Sequence, residues 1–528
     1  LSQECTVEEI FIEGRWQPAI AAGSFKAQNP ATREELPLEF PVSCWADCDR
    51  ALNAAIDAAR ELRGVLPNQL AAFQESYADA LEARGEELAA IANAETALPV
   101  KPRLLGAELP RTVTQLRQAA AAARDGSWTQ AVIDTKTNIR SHYAPIGPVV
   151  VFGPNNFPFA FNGVSGGDFA AAIAMGCPVI AKSHPLHPST SRALTECVLE
   201  ALTRTGLPGA TVQMIYHLGM EDGLKLVADP RVGATSFTGS RTGGLHLKAA
   251  ADRAGKPIYL EMSSLNPIVL LPGALKERLD SLIVETAESG LAAVGQMCTS
   301  PNLFFLIKSE NADRYAEGLA KIYADRASLP LLSETGLRHL EKSVQRLIDA
   351  KAEVVTGGSA APDAEGFCYR NTVLKIPGKE FLQNPAALQQ EAFGNATTVV
   401  IFSDADQLHA ALESLEGNLT GSIYSSTDSA DDELYERFAP VLRTKVGRLL
   451  NDKVPTGVAL SPGMNHGGPY PSTGHPGFTA VGIPRSMQRF AALHCYDAVR
   501  AHRLPPALQD KAPNSKMWRT VDGNWIQG

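Results

Sequence analysis

No uninterrupted apolar run in the chain reaches the ~18 residues that a membrane-spanning helix requires. The opening segment LSQECTVEEIFIEGRW has no basic stretch followed by an apolar one, the pattern of a secretory leader. A basic excess is also missing: the net charge is −9 over 528 residues, which sets nucleic acid aside as a partner. Cysteines are few and scattered. Of Cys5, Cys44, Cys48, Cys177, Cys197, Cys298, Cys368 and Cys495, only Cys44 and Cys48 lie close together, with no second ligand pair nearby, so no metal site is expected. They read as reduced thiols of a cytoplasmic protein. Internal repeats and low-complexity segments are absent as well.

What is present is a soluble, turn-rich composition, 45% hydrophobic and 20% charged, in a chain too long for a single core, so two or three domains are expected. Short strands with turn signals occupy residues 8–45. From Trp45 to about Arg124, Ala51, Ala54, Ala55, Ala58 and Leu62 begin a helical spacing that predicts several amphipathic helices. After Gly126 the segment through 148 is extended and suited to pairing with another subunit. Gly147–Phe152 then predicts a strand, followed by a loop at 153–158, a helix at 169–174 and a strand ending on Lys182. Strand and helix alternate onward to a strand at 233–237 and another at 257–261, which implies parallel βαβ units with ligands at the strands' carboxyl ends. A second α/β unit begins near Asn266, with helices near 277–294, 310–325 and 335–350 and strands at 372–376 and 397–402. A glycine- and proline-rich loop covers 461–477, and the tail from about 485 reads as partly strand, then irregular.

Three features carry chemistry. Gly295-Gln296-Met297-Cys298-Thr299-Ser300-Pro301 presents one cysteine among small and polar residues, a candidate nucleophile. Phe237-Thr238-Gly239-Ser240 follows a strand and opens a helix, so its amides can meet a phosphate, although it is not a GxGxxG turn. The strand at 257–261 ends on Glu261, a carboxylate of interest if it faces Cys298.

Taken in order, Asn155-Asn156-Phe157-Pro158, the strand ending on Lys182, Phe237-Thr238-Gly239-Ser240, Glu261 ahead of Asn266-Pro267, Gly295-Gln296-Met297-Cys298 and Glu391-Ala392-Phe393-Gly394 make the whole chain resemble the aldehyde dehydrogenase superfamily. Glu261-Met262-Ser263-Ser264-Leu265-Asn266-Pro267 and His466-Gly467-Gly468-Pro469-Tyr470-Pro471 resemble the branch of α-ketoglutarate semialdehyde (2,5-dioxopentanoate) dehydrogenases and an NADP-dependent fatty aldehyde dehydrogenase. The resemblance implies an α/β fold of two doubly wound Rossmann-like domains plus a small β oligomerisation element. Residues 1–130 and 149–263 would bind cofactor, 264–482 carry catalysis, and 131–148 with 483–528 bridge subunits of a homodimer or homotetramer.

It also implies roles. Cys298 would attack an aldehyde, Asn156 and the Cys298 N–H would hold the oxyanion, and Glu261 would activate water against the thioester. Lys182 would lie at the adenine ribose with His184 near it, Gly239 and Ser240 at the pyrophosphate, and Glu391 at the nicotinamide ribose with Phe393 beside it. The cofactor is NADP or NAD: Pro185 replaces an acid that would repel a 2′-phosphate, while Leu218-Gly219-Met220-Glu221 lacks the arginine of NADP-dependent relatives. Asn395 stands where proline is usual. Phe157, Phe159, Phe161, Met297, His466 and the loop 461–477 are candidate pocket walls for a small aldehyde, most readily 2,5-dioxopentanoate. A CoA-acylating dehydrogenase, a cysteine hydrolase using His466 or His475, and a non-catalytic protein on the same fold stay as alternatives.

Overall fold

The computed structural model describes residues 7–361 and 364–528; Cys5, grouped above with the other thiols, lies outside them. Val149–Phe152 is buried on both faces, as are most residues of Ala234–Thr238, Val179–Lys182 and Val212–Ile215, the composition that favours a parallel sheet covered on two sides. These strands lie in the order Ile258–Glu261, Ala234–Thr238, Val149–Phe152, Val179–Lys182, Val212–Ile215, and the hairpin Ile10–Ile12 with Arg15–Gln17 adds two antiparallel strands. From Val149–Phe152 the chain winds outward in one direction, then returns to place Ala234–Thr238 on the other side. This reversal opens a crevice at the carboxyl ends, and the loops carrying Asn156 and Gly239 border it.

The second sheet runs Glu353–Thr356, Thr372–Pro377, Ala396–Phe402, Leu303–Ile307, Ile268–Leu270, Asn418–Tyr424, Val446–Asn451, parallel except at its first edge. The alanine-rich stretch forms the helices Trp45–Leu62, Pro67–Ala83, Gly85–Thr96 and Leu109–Asp125, with a π-helical segment Val100–Glu108 between the last two. Small side chains let Pro67–Ala83 pack closely between Leu109–Asp125 and Pro188–Thr205. The α/β class and the two-sheet plan agree with expectation.

The tail is a correction. It ends in regular structure, the hairpin Trp518–Val521 and Asn524–Gln527, turned at Asp522 and Gly523 with φ of 48° and 83°. Within one chain this hairpin pairs with Val132–Asp134, and Ala491–Asp497 pairs with Ile139–Pro145, so the extended segment and the tail complete one five-stranded sheet.

Candidate active site

Cys298 follows helix Pro272–Leu291 through three left-handed residues, Ala293 (φ 49°), Val294 (φ 59°) and Gly295 (φ 68°). The first two each cost about 1–2 kcal/mol, so the turn persists only because neighbours hold it. Asn266 donates from Nδ2 to the carbonyls of Cys298 and Ser300, both at 2.9 Å, and Gln296 Oε1 accepts the Leu332 N–H at 3.1 Å. A Cβ on Gly295 would lie 2.1 Å from the Gly394 carbonyl oxygen. Glycine there lets the Glu391 segment close over the nucleophile's turn.

Asn156, Glu261 and His466 reach the same point from other elements. Asn156 is buried in the loop after Val149–Phe152 and donates from Nδ2 to the Gln296 carbonyl at 2.8 Å. Glu261 ends its strand. The loop 452–484 brings His466 in, and it is stitched to that strand by Met262 N–H to Ser472 O (2.8 Å) and Gly474 N–H to Leu260 O (3.2 Å). His466 Nε2 lies 3.4 Å from Cys298 Sγ and 3.0 Å from Glu261 Oε1.

One nitrogen thus faces both partners: it either donates a proton to the carboxylate or accepts one from the thiol. The second oxygen of Glu261 is buried without a partner. Burial, and then the charge of Glu261, raise the Cys298 thiol well above its ordinary pKa, while Arg111 pulls the other way. In this arrangement the thiol rests protonated, and its activation needs the adjacent base. No acceptor takes the Cys298 N–H among the described residues, which leaves it available to an oxyanion.

Along the crevice, Lys182 is half-buried, with no carboxylate against it among the described residues; loss of solvent around it lowers its pKa to about 8. Burial also lowers His184, whose Nδ1 accepts the Leu186 N–H at 3.2 Å and whose ring stacks 5.4 Å from His187. Ser240 caps helix Arg241–Arg253 by accepting the Gly243 N–H at 3.2 Å, and any side chain on Gly239 would press on the Phe237 ring. Glu391 accepts a long bond, 3.4 Å, from the Ser264 N–H, and burial raises its pKa to about 7 against hydrogen bonds from the Ser263 side chain and the Ser264 N–H; Phe393 beside it is half-buried. A half-buried lysine with no carboxylate partner among the described residues and a half-buried carboxylate with spare acceptor capacity fit a dinucleotide carrying phosphate and ribose hydroxyls.

Residues 16–468 match the family described as "Aldehyde dehydrogenase family". The chain belongs to the aldehyde dehydrogenase family. With that membership comes the reaction class, NAD(P)-dependent oxidation of an aldehyde. It is 37% identical to alpha-ketoglutaric semialdehyde dehydrogenase 2 of Azospirillum brasilense, covering 93% of this chain and 95% of the relative. It is 32% identical to alpha-ketoglutaric semialdehyde dehydrogenase of Acinetobacter baylyi, covering 95% and 96%. Among solved structures, aldehyde dehydrogenase C of Pseudomonas syringae, in complex with NAD+ and octanal, superposes with a TM-score of 0.79 at 20% identity, covering 94% of this chain and 97% of that one.

In this aldehyde dehydrogenase the pocket wall differs from expectation in two places. Phe157 and Phe161 pack edge to face, 5.2 Å between centroids, with Phe478, Met297 and Met464 around them. Phe159 is instead fully buried in the core of the first domain, beside Val164 and Phe169, because Glu108 captures its N–H at 2.8 Å and turns the side chain inward. His466, expected as a wall, is a hydrogen-bonding partner of the nucleophile. Sequence reasoning missed Arg103, Arg111 and Arg448. Arg103 pairs with Glu108 at 2.6 Å and stacks 4.4 Å over Phe157.

Proposed function

We propose that the enzyme oxidises 2,5-dioxopentanoate to 2-oxoglutarate, with NADP or NAD as hydride acceptor. The contact that carries the chemistry is Cys298 Sγ against His466 Nε2, itself paired to Glu261. His466 takes the thiol proton, and the thiolate forms a C–S bond to the aldehyde carbon. The oxygen of that thiohemiacetal gains negative charge, which the Asn156 amide and the Cys298 N–H would stabilise. A nicotinamide cofactor, held by Lys182, Gly239, Ser240 and Glu391, would supply the acceptor for the hydride that this carbon loses. Glu261, through its unpartnered oxygen, takes a proton from water as water adds to the thioester; the C–S bond breaks and the acid leaves.

Pro185 in place of an acid, and Lys182 free of carboxylates, support use of NADP as well as NAD. The substrate assignment draws on the two semialdehyde dehydrogenases above. All seven described cysteines are unpaired, in keeping with a reducing cytoplasm. The five-stranded sheet exposes Val132, Leu493, Trp518, Trp525 and Ile526, a surface suited to a second subunit in a homodimer or homotetramer.

The Cys298–His466 contact also favours a second reading, a cysteine hydrolase that cleaves esters without cofactor. One assay separates them: reduced-cofactor absorbance with NAD and NADP against 2,5-dioxopentanoate, succinate semialdehyde and a long-chain aldehyde, beside Cys298→Ala. The proposal expects fastest turnover of 2,5-dioxopentanoate and a loss of at least about 10⁴-fold in the variant. Preference for the long-chain aldehyde overturns the substrate. Ester cleavage with no aldehyde oxidation establishes the hydrolase.

A further inference from the structure

Two guanidinium groups stand at the pocket wall without a carboxylate. Arg111, on helix Leu109–Asp125, donates from Nη1 to the Val458 carbonyl, and its Nε and Nη2 are buried with no partner. Its Cζ lies 5.9 Å from the centroid of Phe161, whose ring is 5.8 Å from that of His466. Arg448, on strand Val446–Asn451, donates from Nη2 to the Pro455 carbonyl at 2.7 Å, approaches Met464 Sδ at 4.0 Å, and leaves Nε buried and unpartnered. Neither forms an ion pair among the described residues. Glu108, the nearby acid, is engaged by Arg103 and by the N–H groups of Phe159 and Ala160.

Burial lowers the pKa of both arginines, and the field of Cys298 acts on each in the opposite sense, which places them around the nucleophile; Arg111 is further pushed down by Arg103 and Arg448. Desolvated, mutually repelling cations with open N–H donors are costly unless an anion joins them. A planar guanidinium fork matches a carboxylate better than any other common anion of this size except phosphate.

We propose that Arg111 and Arg448 form the subsite for the carboxylate of an oxo-acid aldehyde, so that this enzyme selects anionic over neutral aldehydes. The inference deepens, and rests on, the reading of the Cys298 site as oxidising 2,5-dioxopentanoate. The loop 452–484 takes part twice, since the Val458 and Pro455 carbonyls hold one end of each guanidinium and leave the remaining buried donors open.

The test measures kcat/KM of the enzyme with bound cofactor for 2,5-dioxopentanoate and for pentanal, which has the same five carbons and no charge, in the parent and in Arg111→Met, Arg448→Met and Arg111→Lys. The ratio of the two substrates is expected to fall about 10²-fold in Arg111→Met, mostly through KM for the oxo acid, with partial recovery in Arg111→Lys. Being a ratio, it reads only the protein that folds. In parallel, 2-oxoglutarate is titrated as an inhibitor of pentanal oxidation; the parent is expected to be inhibited competitively and both Met variants to escape.

A parent that prefers 2,5-dioxopentanoate, with variants that keep the ratio and the inhibition, overturns the subsite and leaves the function standing. A parent indifferent to 2,5-dioxopentanoate, whose inhibition by 2-oxoglutarate disappears in the variants, overturns the substrate and keeps the subsite.

Discussion

Of the groups proposed to face a dinucleotide, Lys182 comes from the end of a strand, Gly239 with Ser240 from the turn beyond one, and Glu391 from the segment leading into strand Ala396–Phe402. The groups proposed to face the substrate come from a helix face, a strand at the sheet's edge and a long loop: Arg111, Arg448 and His466. The first group lies on a strand end and in short segments next to strands, so each member reads as part of a short local motif. The second is assembled from segments more than three hundred residues apart, so it can change without disturbing the sheet. One side of the nucleophile is therefore suited to a constant ligand, and the other to a selected one.

The sharpest way to break this division is His466. If the loop supplies chemistry and not merely a wall, His466→Gln should lower turnover by about 10²–10⁴-fold and remove the rapid first turnover of reduced cofactor, whereas Glu261→Gln should keep that first turnover and slow only the steady state. Stopped-flow absorbance reads both; a His466→Gln variant that changes KM for aldehyde alone would return the residue to the wall.

On the other side, Asn156→Ala should cost about 10²–10³-fold in kcat for charged and neutral aldehydes alike, because the amide serves the oxyanion whatever the tail. The smallest effect belongs to Glu391. Its raised pKa means that it carries a proton below about pH 7 and ionises above it. Cofactor KM should therefore fall as pH rises through about 7, when the carboxylate can accept from ribose hydroxyls. Glu391→Gln should raise KM about tenfold at pH 8 and flatten that dependence.

The parallel sheets were legible because their strands are continuous apolar runs separated by helical spacing, and Cys298, Glu261 and Asn156 were legible because each belongs to a compact motif. Arg111 was not. It sits on a helix among Thr112, Val113, Gln115 and Leu116, and a single arginine in such a pattern reads as solvated; only the distant loop 452–484 covers it. Phe159 and Phe161 differ by two residues in a turn, where no periodicity says which faces the pocket. The terminal hairpin did leave a signal, Asp522-Gly523 between aromatic and β-branched residues, which is strong evidence for a tight turn and predicts the paired strands directly.

The stitching of the loop 452–484 to the strand of Glu261 has a consequence in time. Both sheets' central strands and the turn of Cys298 precede residue 425 in the chain, but His466 and the Ser472 and Gly474 contacts that seat it come late. Burial beside Glu261 is what raises the Cys298 thiol, and His466 is the neighbour that can relieve it, so the site is complete only once this late segment has folded against the strand of Glu261.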